Sequence, residues 1–158
     1  MRYNADEVLE MAERMEQNGA KFYRKAMDYA ADKAAEKMLG ELAAMEDEHE
    51  RTFSDMRAEL TLKEKEPVAF DPDNEQSFYL QAMVDRNVFD MSADPSEQVS
   101  GKTMQEILQT AIGLEKDSIV FYLGLKELVP ERLGKGRLDN IVQEEYSHIA
   151  TLSAKLDG

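Results

Sequence analysis

Residues 45–53 read MEDEHERTF, and residues 144–152 read EEYSHIATL. Each stretch sets a histidine three places after a glutamate: His49 after Glu46, and His148 after Glu145. They are the only two histidines in the chain. Residues three apart on a helix share one face, one turn apart, so a carboxylate and an imidazole spaced this way can reach a single point. Both pairs also sit in the middle of apolar stripes with helical steps of three and four.

Working outward, four long segments carry such stripes. Segment A spans about 5–31, with Asn4 or Asp6 as its N-cap and the stripe Leu9, Ala12, Glu16, Gly19, Tyr23, Ala26. Segment B spans about 33–60, with Met38, Leu42, Glu46, His49, Phe53, Met56, Leu60. Segment C follows the N-cap Thr103 and runs to about 129, ahead of Pro130, with Leu108, Ala111, Glu115, Ser118, Tyr122, Leu125, Val129. Segment D spans about 133–156, with Leu138, Ile141, Glu145, His148, Leu152. Each stripe carries one glutamate near its middle. A buried carboxylate without a partner costs several kcal/mol, so all four need one.

Segments A and B are joined tightly around 31–34, and C and D around 130–134, which predicts two antiparallel helical hairpins. Between them lie residues 61–102, broken by Pro67, Pro72 and Pro95. The stretch 75–89, EQSFYLQAMVDRNVF, is apolar enough for a short packed helix. A helix of about 27 residues is about 40 Å long, and a connection of roughly forty residues spans that length and starts C parallel to B. The expected architecture is all-α: one domain over 1–158, a four-helix bundle with hairpins at about 5–60 and 103–156 and a single long crossover at 61–102.

The two hairpins look like copies. Glu16, Phe22, Tyr23, Glu46 and His49 recur as Glu115, Phe121, Tyr122, Glu145 and His148, always 99 positions on. Apolar positions repeat at the same offset: Val8 with Ile107, Leu9 with Leu108, Leu39 with Leu138, Leu42 with Ile141. A duplicated hairpin arranged about a pseudo-two-fold axis brings its glutamates together. Two Glu-x-x-His pairs and two lone glutamates then make four carboxylates and two imidazoles, the donor set of di-iron and di-manganese carboxylate bundles. Four carboxylates balance two divalent ions. The candidate metal ligands are therefore Glu16, Glu46, His49, Glu115, Glu145 and His148, with Glu46 and Glu145 as bridges. Iron suits this set, and manganese or zinc can take its place. Tyr23 and Tyr122 lie two turns beyond the lone glutamates, placed either to bond ligand carboxylates and relay electrons or simply to fill the core. Gly19 and Ser118, one turn beyond the same glutamates, either leave room for a small oxidant or serve packing.

Composition narrows the functional classes. The 158 residues contain no cysteine, which excludes disulfides, thiolate zinc sites, iron–sulfur clusters and a cysteine nucleophile. Acidic residues outnumber basic ones 33 to 19, a net charge of −14. That field repels nucleic acid and anionic membranes, so neither is an expected partner. No run of about eighteen apolar residues is present. The N-terminus is acidic and amphipathic rather than basic and then apolar, so a cytoplasmic location is expected.

With these motifs in view, the chain resembles the rubrerythrin branch of the ferritin-like superfamily over nearly its whole length. The likeness is strongest in LQTAIGLEKDSIVFYLGL at 108–125 and in the two stretches quoted first. It implies a nonhaem di-iron centre on the six residues named, two iron ions per chain, reaction with hydrogen peroxide or dioxygen in oxidative-stress defence, and a homodimer. Three departures stand out. Ser118 occupies the place where rubrerythrins usually carry a further glutamate. No rubredoxin domain supplies electrons, so an external electron-donor protein is expected. Asp47 follows Glu46 where bacterioferritin has its haem-ligating methionine, and the chain stops just past segment D; neither haem nor a large cage is expected. The leading reading is a peroxide-reducing or ferrous-iron-oxidising oxidoreductase. The alternatives are an oxygen-activating hydroxylase, an iron-sequestering protein, and a metal-free helical interaction protein.

Overall fold

A computed structural model of the chain describes residues 3–66, 75, 78 and 94–158. Helix α1 (Ala5–Met27) is followed by α2 (Lys33–Ala58), a 3-10 turn at Pro95–Gln98, α3 (Met104–Leu125), the single turn α4 (Glu131–Gly134) and α5 (Arg137–Asp157). No strand occurs among the described residues. The short helix expected over 75–89 lies outside them, apart from Glu75 and Phe78, which are helical and exposed.

The helix starts follow local chemistry. Asn4 accepts from the Glu7 amide at 2.8 Å, and the Glu7 carboxylate accepts from the Asn4 amide at 2.9 Å. Thr103 and Glu106 build the same reciprocal box on α3, again 99 positions on. Each box satisfies two amides that a helix start leaves unpaired. Asp32 caps α2 through the Ala35 amide at 2.7 Å.

Two ends differ from expectation. Segment A was expected to reach residue 31, but α1 stops at Met27, and the chain turns through 28–31 so that Asp32 can cap α2. Segment C was expected to run to 129, but α3 ends at Leu125. Bonds from Glu127 to Gly124 and from Leu128 to Leu125 tighten its last turn into 3-10 geometry, because Pro130 disfavours the helical conformation for Val129. Segment D is two pieces, since Gly136, at φ 82°, breaks it before α5. That left-handed conformation costs glycine nothing and other residues about 1–2 kcal/mol.

Helix directions follow from side-chain pairs. Arg57 near the end of α2 bonds Asp6 at the start of α1, so the two are antiparallel. Tyr23 late in α1 reaches Glu115 in mid-α3, and Tyr122 late in α3 reaches Glu16 in mid-α1, so these two are antiparallel as well. Helices α2 and α3 therefore run parallel, as a full-length crossover requires. The core is split into two apolar clusters. One gathers Val8, Leu9, Phe53, Met56, Phe121, Tyr122, Leu125 and Leu138 at one end of the bundle. The other gathers Phe22, Tyr23, Leu39, Leu42, Val99, Ile107, Leu108 and Leu152 at the opposite end. Between them lies a thin polar layer.

Candidate metal centre

That layer holds Glu16, Glu46, His49, Glu115, Glu145 and His148, each only 1–4% exposed. They are also the buried charged or imidazole-bearing side chains among the described residues. One glutamate comes from α1 and one from α3, and one Glu-x-x-His pair comes from each of α2 and α5. Their donor atoms fall into two groups within 4.8 Å: Glu16, Glu46, His49 and Glu145, and then Glu46, Glu115, Glu145 and His148. Glu46 and Glu145 belong to both. The two imidazoles lie side by side, with ring centroids 5.7 Å apart and planes 22° from parallel.

The Nδ1 of His49 stands 2.8 Å from Glu145 Oε1, 3.6 Å from Glu16 Oε2 and 3.7 Å from Glu46 Oε2. The Nδ1 of His148 stands 3.4 Å from Glu115 Oε1, 3.6 Å from Glu46 Oε1 and 3.8 Å from Glu145 Oε1. Two donors bound at right angles to one ion at about 2.1 Å lie about 3 Å apart, so these separations suit atoms gathered around a cation. Among the described residues, both Nδ1 atoms, Glu115 Oε2 and Glu145 Oε1 are buried without a well-aligned hydrogen bond, the close approach of His49 Nδ1 to Glu145 Oε1 being an ion-pair contact only. A buried polar atom left unpaired costs about 1–3 kcal/mol, and a cation in the layer would satisfy all four. The donor set, carboxylate oxygen with imidazole nitrogen, fits divalent iron, manganese or zinc. The site is thus able to hold metal.

Protonation shows the same strain. Burial and the neighbouring Glu46 push Glu16 well above the usual carboxylate range. Burial and the charges of Glu46 and Glu16 do the same to Glu145. Burial, and then Glu115, raise Glu46 to about 7. Glu115 runs the other way: burial opposes its charge, but the neighbouring Glu145 and His148 and the hydrogen bond from Tyr23 outweigh that and hold it at about 2. Burial likewise opposes a charged His49, yet the carboxylates of Glu145, Glu16 and Glu46 keep it protonated far above its ordinary range. Without a cation, the crowded negative charge of the layer favours retained protons within the cluster.

The tyrosines cross between hairpins. Tyr23 donates to Glu115 Oε1 at 2.5 Å, and Tyr122 donates to Glu16 Oε1. Burial and the adjoining carboxylates raise both phenols well above their ordinary value, so they stay protonated as donors. Gly19 lies against Glu46, where an added Cβ would sit 3.4 Å from the carboxyl carbon. Ser118 is half-buried, and its hydroxyl donates to the Leu114 carbonyl at 3.0 Å. Glu144 was not anticipated from the sequence. Its Oε2 lies 2.6 Å from His49 Nε2, and the offset that exposed the other residues hides it, because position 45 is a methionine.

No protein-family model and no curated relative matches the sequence. Among solved structures, the chain is similar to a putative ferritin-like diiron-carboxylate protein from Thermotoga maritima. The TM-score is 0.72 at 24% identity, covering 99% of this chain and 97% of that one. The shared fold is the ferritin-like bundle. Among the described residues, no helix is long and apolar enough to cross a membrane.

Proposed function

Starting from a ferritin-like bundle whose middle layer is four carboxylates and two imidazoles, we propose that the protein is a nonhaem di-iron oxidoreductase that reduces hydrogen peroxide or oxidises ferrous iron with peroxide or dioxygen. The observation that carries this reading is the set of unpaired Nδ1 and carboxylate oxygens facing one another between two apolar clusters. A pair of iron ions supplies two one-electron oxidations, which match the two electrons that one peroxide accepts as it takes up two protons and leaves as two waters.

The protein's part is to hold and balance. Glu16, Glu46, His49 and Glu145 would hold one ion, and Glu46, Glu115, Glu145 and His148 the other, with Glu46 and Glu145 belonging to both groups. Tyr23 and Tyr122 keep one oxygen of Glu115 and one of Glu16 engaged, which leaves the second oxygen of each free to turn inward. The two apolar clusters exclude water from both ends of the layer, so charges within it interact strongly. Gly19 leaves the Glu46 carboxyl uncovered on one side. Reduction of the centre would call on a separate electron-donor protein, because these 158 residues contain no cysteine to hold an iron–sulfur cluster.

The test is an anaerobic titration. The chelator-treated chain is loaded with ferrous iron, mixed with peroxide, and followed by Mössbauer spectroscopy. Two irons bound per chain and two oxidised per peroxide are expected. Iron that stays ferrous, or fails to bind, rejects the reading.

A further inference from the structure

The repeat makes the two halves of the site look equivalent, but their outer surroundings differ. His49 Nε2 points away from the layer and meets the Glu144 carboxylate at 2.6 Å. His148 Nε2 is buried with no hydrogen-bond partner among the described residues. The position related to Glu144 by the offset of 99 is Met45, which cannot accept such a bond with comparable strength. One imidazole is therefore anchored from behind and the other is not.

We propose that Glu144 is a positioning residue that makes the two halves unequal, so that the ion held by Glu16, Glu46, His49 and Glu145 binds first and more tightly. The inference rests on the di-metal reading above. A carboxylate accepting from Nε2–H fixes the tautomer of a neutral His49 with its lone pair on Nδ1, which faces Glu16, Glu46 and Glu145. It also orients the ring and raises the basicity of the ligating nitrogen. Partners of this kind are worth about 10–100-fold in metal affinity. His148 has none of these supports, and binding through its Nδ1 leaves a buried Nε2–H unpaired, at a cost of its own. Glu144 is itself about half exposed, with 47% of its side-chain surface accessible. It can therefore be replaced without opening the core.

Two histidines per chain make the test direct. The chelator-treated full chain, labelled with 15N-histidine, is titrated with Zn(II), which is diamagnetic and not redox-active. Nitrogen shifts then report each ring separately, and Glu144→Ala identifies the His49 signals through its Nε2. At one equivalent of Zn(II), the Nδ1 of His49 should be shifted while that of His148 stays close to its metal-free position. In Glu144→Ala the first affinity should fall about 10–100-fold and the order of filling should disappear. Glu144→Gln keeps a neutral acceptor and should recover part of the loss. Met45→Glu, which completes the symmetry, should tighten the second step. Equal occupancy of both rings at one equivalent, His148 filling first, or an unchanged order in Glu144→Ala would overturn the inequality while leaving the di-metal reading intact. Two unmoved rings, with no zinc retained after gel filtration, would overturn both.

Discussion

The α1–α2 hairpin and the α3–α5 hairpin match almost residue for residue on the inside and scarcely at all on the outside. Inside, capping boxes, lone glutamates, crossing tyrosines and Glu-x-x-His pairs recur at one offset. Outside, α1 is tied to the C-terminal half of α2 at three levels: Arg57 to Asp6 at 2.9 Å, Gln17 to Glu50 at 2.7 Å, and Arg24 to Asp47. Helices α3 and α5 have Lys126 with Asp139, close to their connection. The α4–α5 corner instead leans on the end of α2, through Arg132 to Glu64 and Arg137 to Glu59. The connections differ too: a short turn ending in Asp32, which caps α2, against Pro130, a single helical turn and a left-handed Gly136. A shared ligand set constrains the faces that meet. The outer faces need only keep those helices folded, and several solutions serve.

The largest effects should come from breaking the inner match. Glu115→Ala removes a donor from the His148 group, and Glu16→Ala removes the symmetrical one from the His49 group. Each should cut affinity on its own side by more than about 100-fold, beyond the range seen when an outlying partner of a ligand is lost. Metal retained after dialysis should drop from about two ions per chain to about one, as four carboxylates balance two divalent ions. The metal-free Glu16→Ala variant should remain folded, because burial and Glu46 disfavour the charge that it removes. A melting temperature for metal-free Glu115→Ala well below that of the metal-free parent would show that the carboxylate is structural.

Next in size is a pair of opposite pH slopes. Glu46 has a folded pKa of about 7 against an ordinary value of 4.5, and Glu16, Glu145 and His49 are raised as well. Groups whose pKa is raised on folding bind more protons in the native state. The stability Glu46 contributes is therefore complete below about pH 4.5 and is lost as pH rises through about 7. The metal-free protein should be more stable at pH 5 than at pH 8, by on the order of 3 kcal/mol from Glu46 alone. Glu115 has the opposite sign, but its window lies between about pH 2 and 4.5 and does not enter this range. Metal uptake must displace the same protons, so affinity should rise over the interval in which metal-free stability falls. Urea denaturation of the metal-free chain and calorimetric metal titration, each at several pH values, check the two slopes.

Smaller effects are expected at the crossing tyrosines. Tyr23→Phe and Tyr122→Phe each remove one hydrogen bond to a buried carboxylate and should each cost the metal-free protein about 2 kcal/mol. If the inner faces are as alike as their geometry suggests, the two losses agree within about 1 kcal/mol. A markedly larger loss at Tyr122, which also packs on Phe53 with ring centroids 5.0 Å apart, would mean that the shift in ring packing, not the hydroxyl, sets the energy.

Much of this was legible in the sequence because its strongest signals were repeated. Helical period fixed the four long helices, and a glutamate in the middle of each apolar stripe demanded a common partner. The crossover was readable from arithmetic alone, since tight links within the hairpins left the direction of α3 to the forty residues between them. What escaped depends on three-dimensional neighbours that no period encodes. The break at Gly136 depends on a single φ angle. Glu144 was invisible because a repeat reveals what the halves share, and its significance is that they do not share it. The tyrosines were placed on the correct stripes, but their reach across to the opposite hairpin's glutamate depends on the antiparallel pairing of α1 with α3.

The smallest expected effect separates the outer faces. Arg57 bonds Asp6 through Nε and Nη2, at 2.9 and 3.2 Å, and has Glu10 and Glu13 within 3.6 Å. Its side chain is 29% exposed. A forked, multiply partnered guanidinium holds its geometry better than an isolated exposed pair, whose net worth is about 0–1 kcal/mol. Arg57→Ala should therefore cost about 1 kcal/mol, at the upper end of that range once solvent screening is counted. Lys126→Ala removes one flexible ammonium from a carboxylate open to solvent, and should leave the urea midpoint unchanged. High salt should shrink the first effect and leave the second at nothing. Equal losses in the two variants would mean that the hairpins are tied with similar strength despite their different surfaces, and that the apolar clusters carry nearly all of the pairing in both.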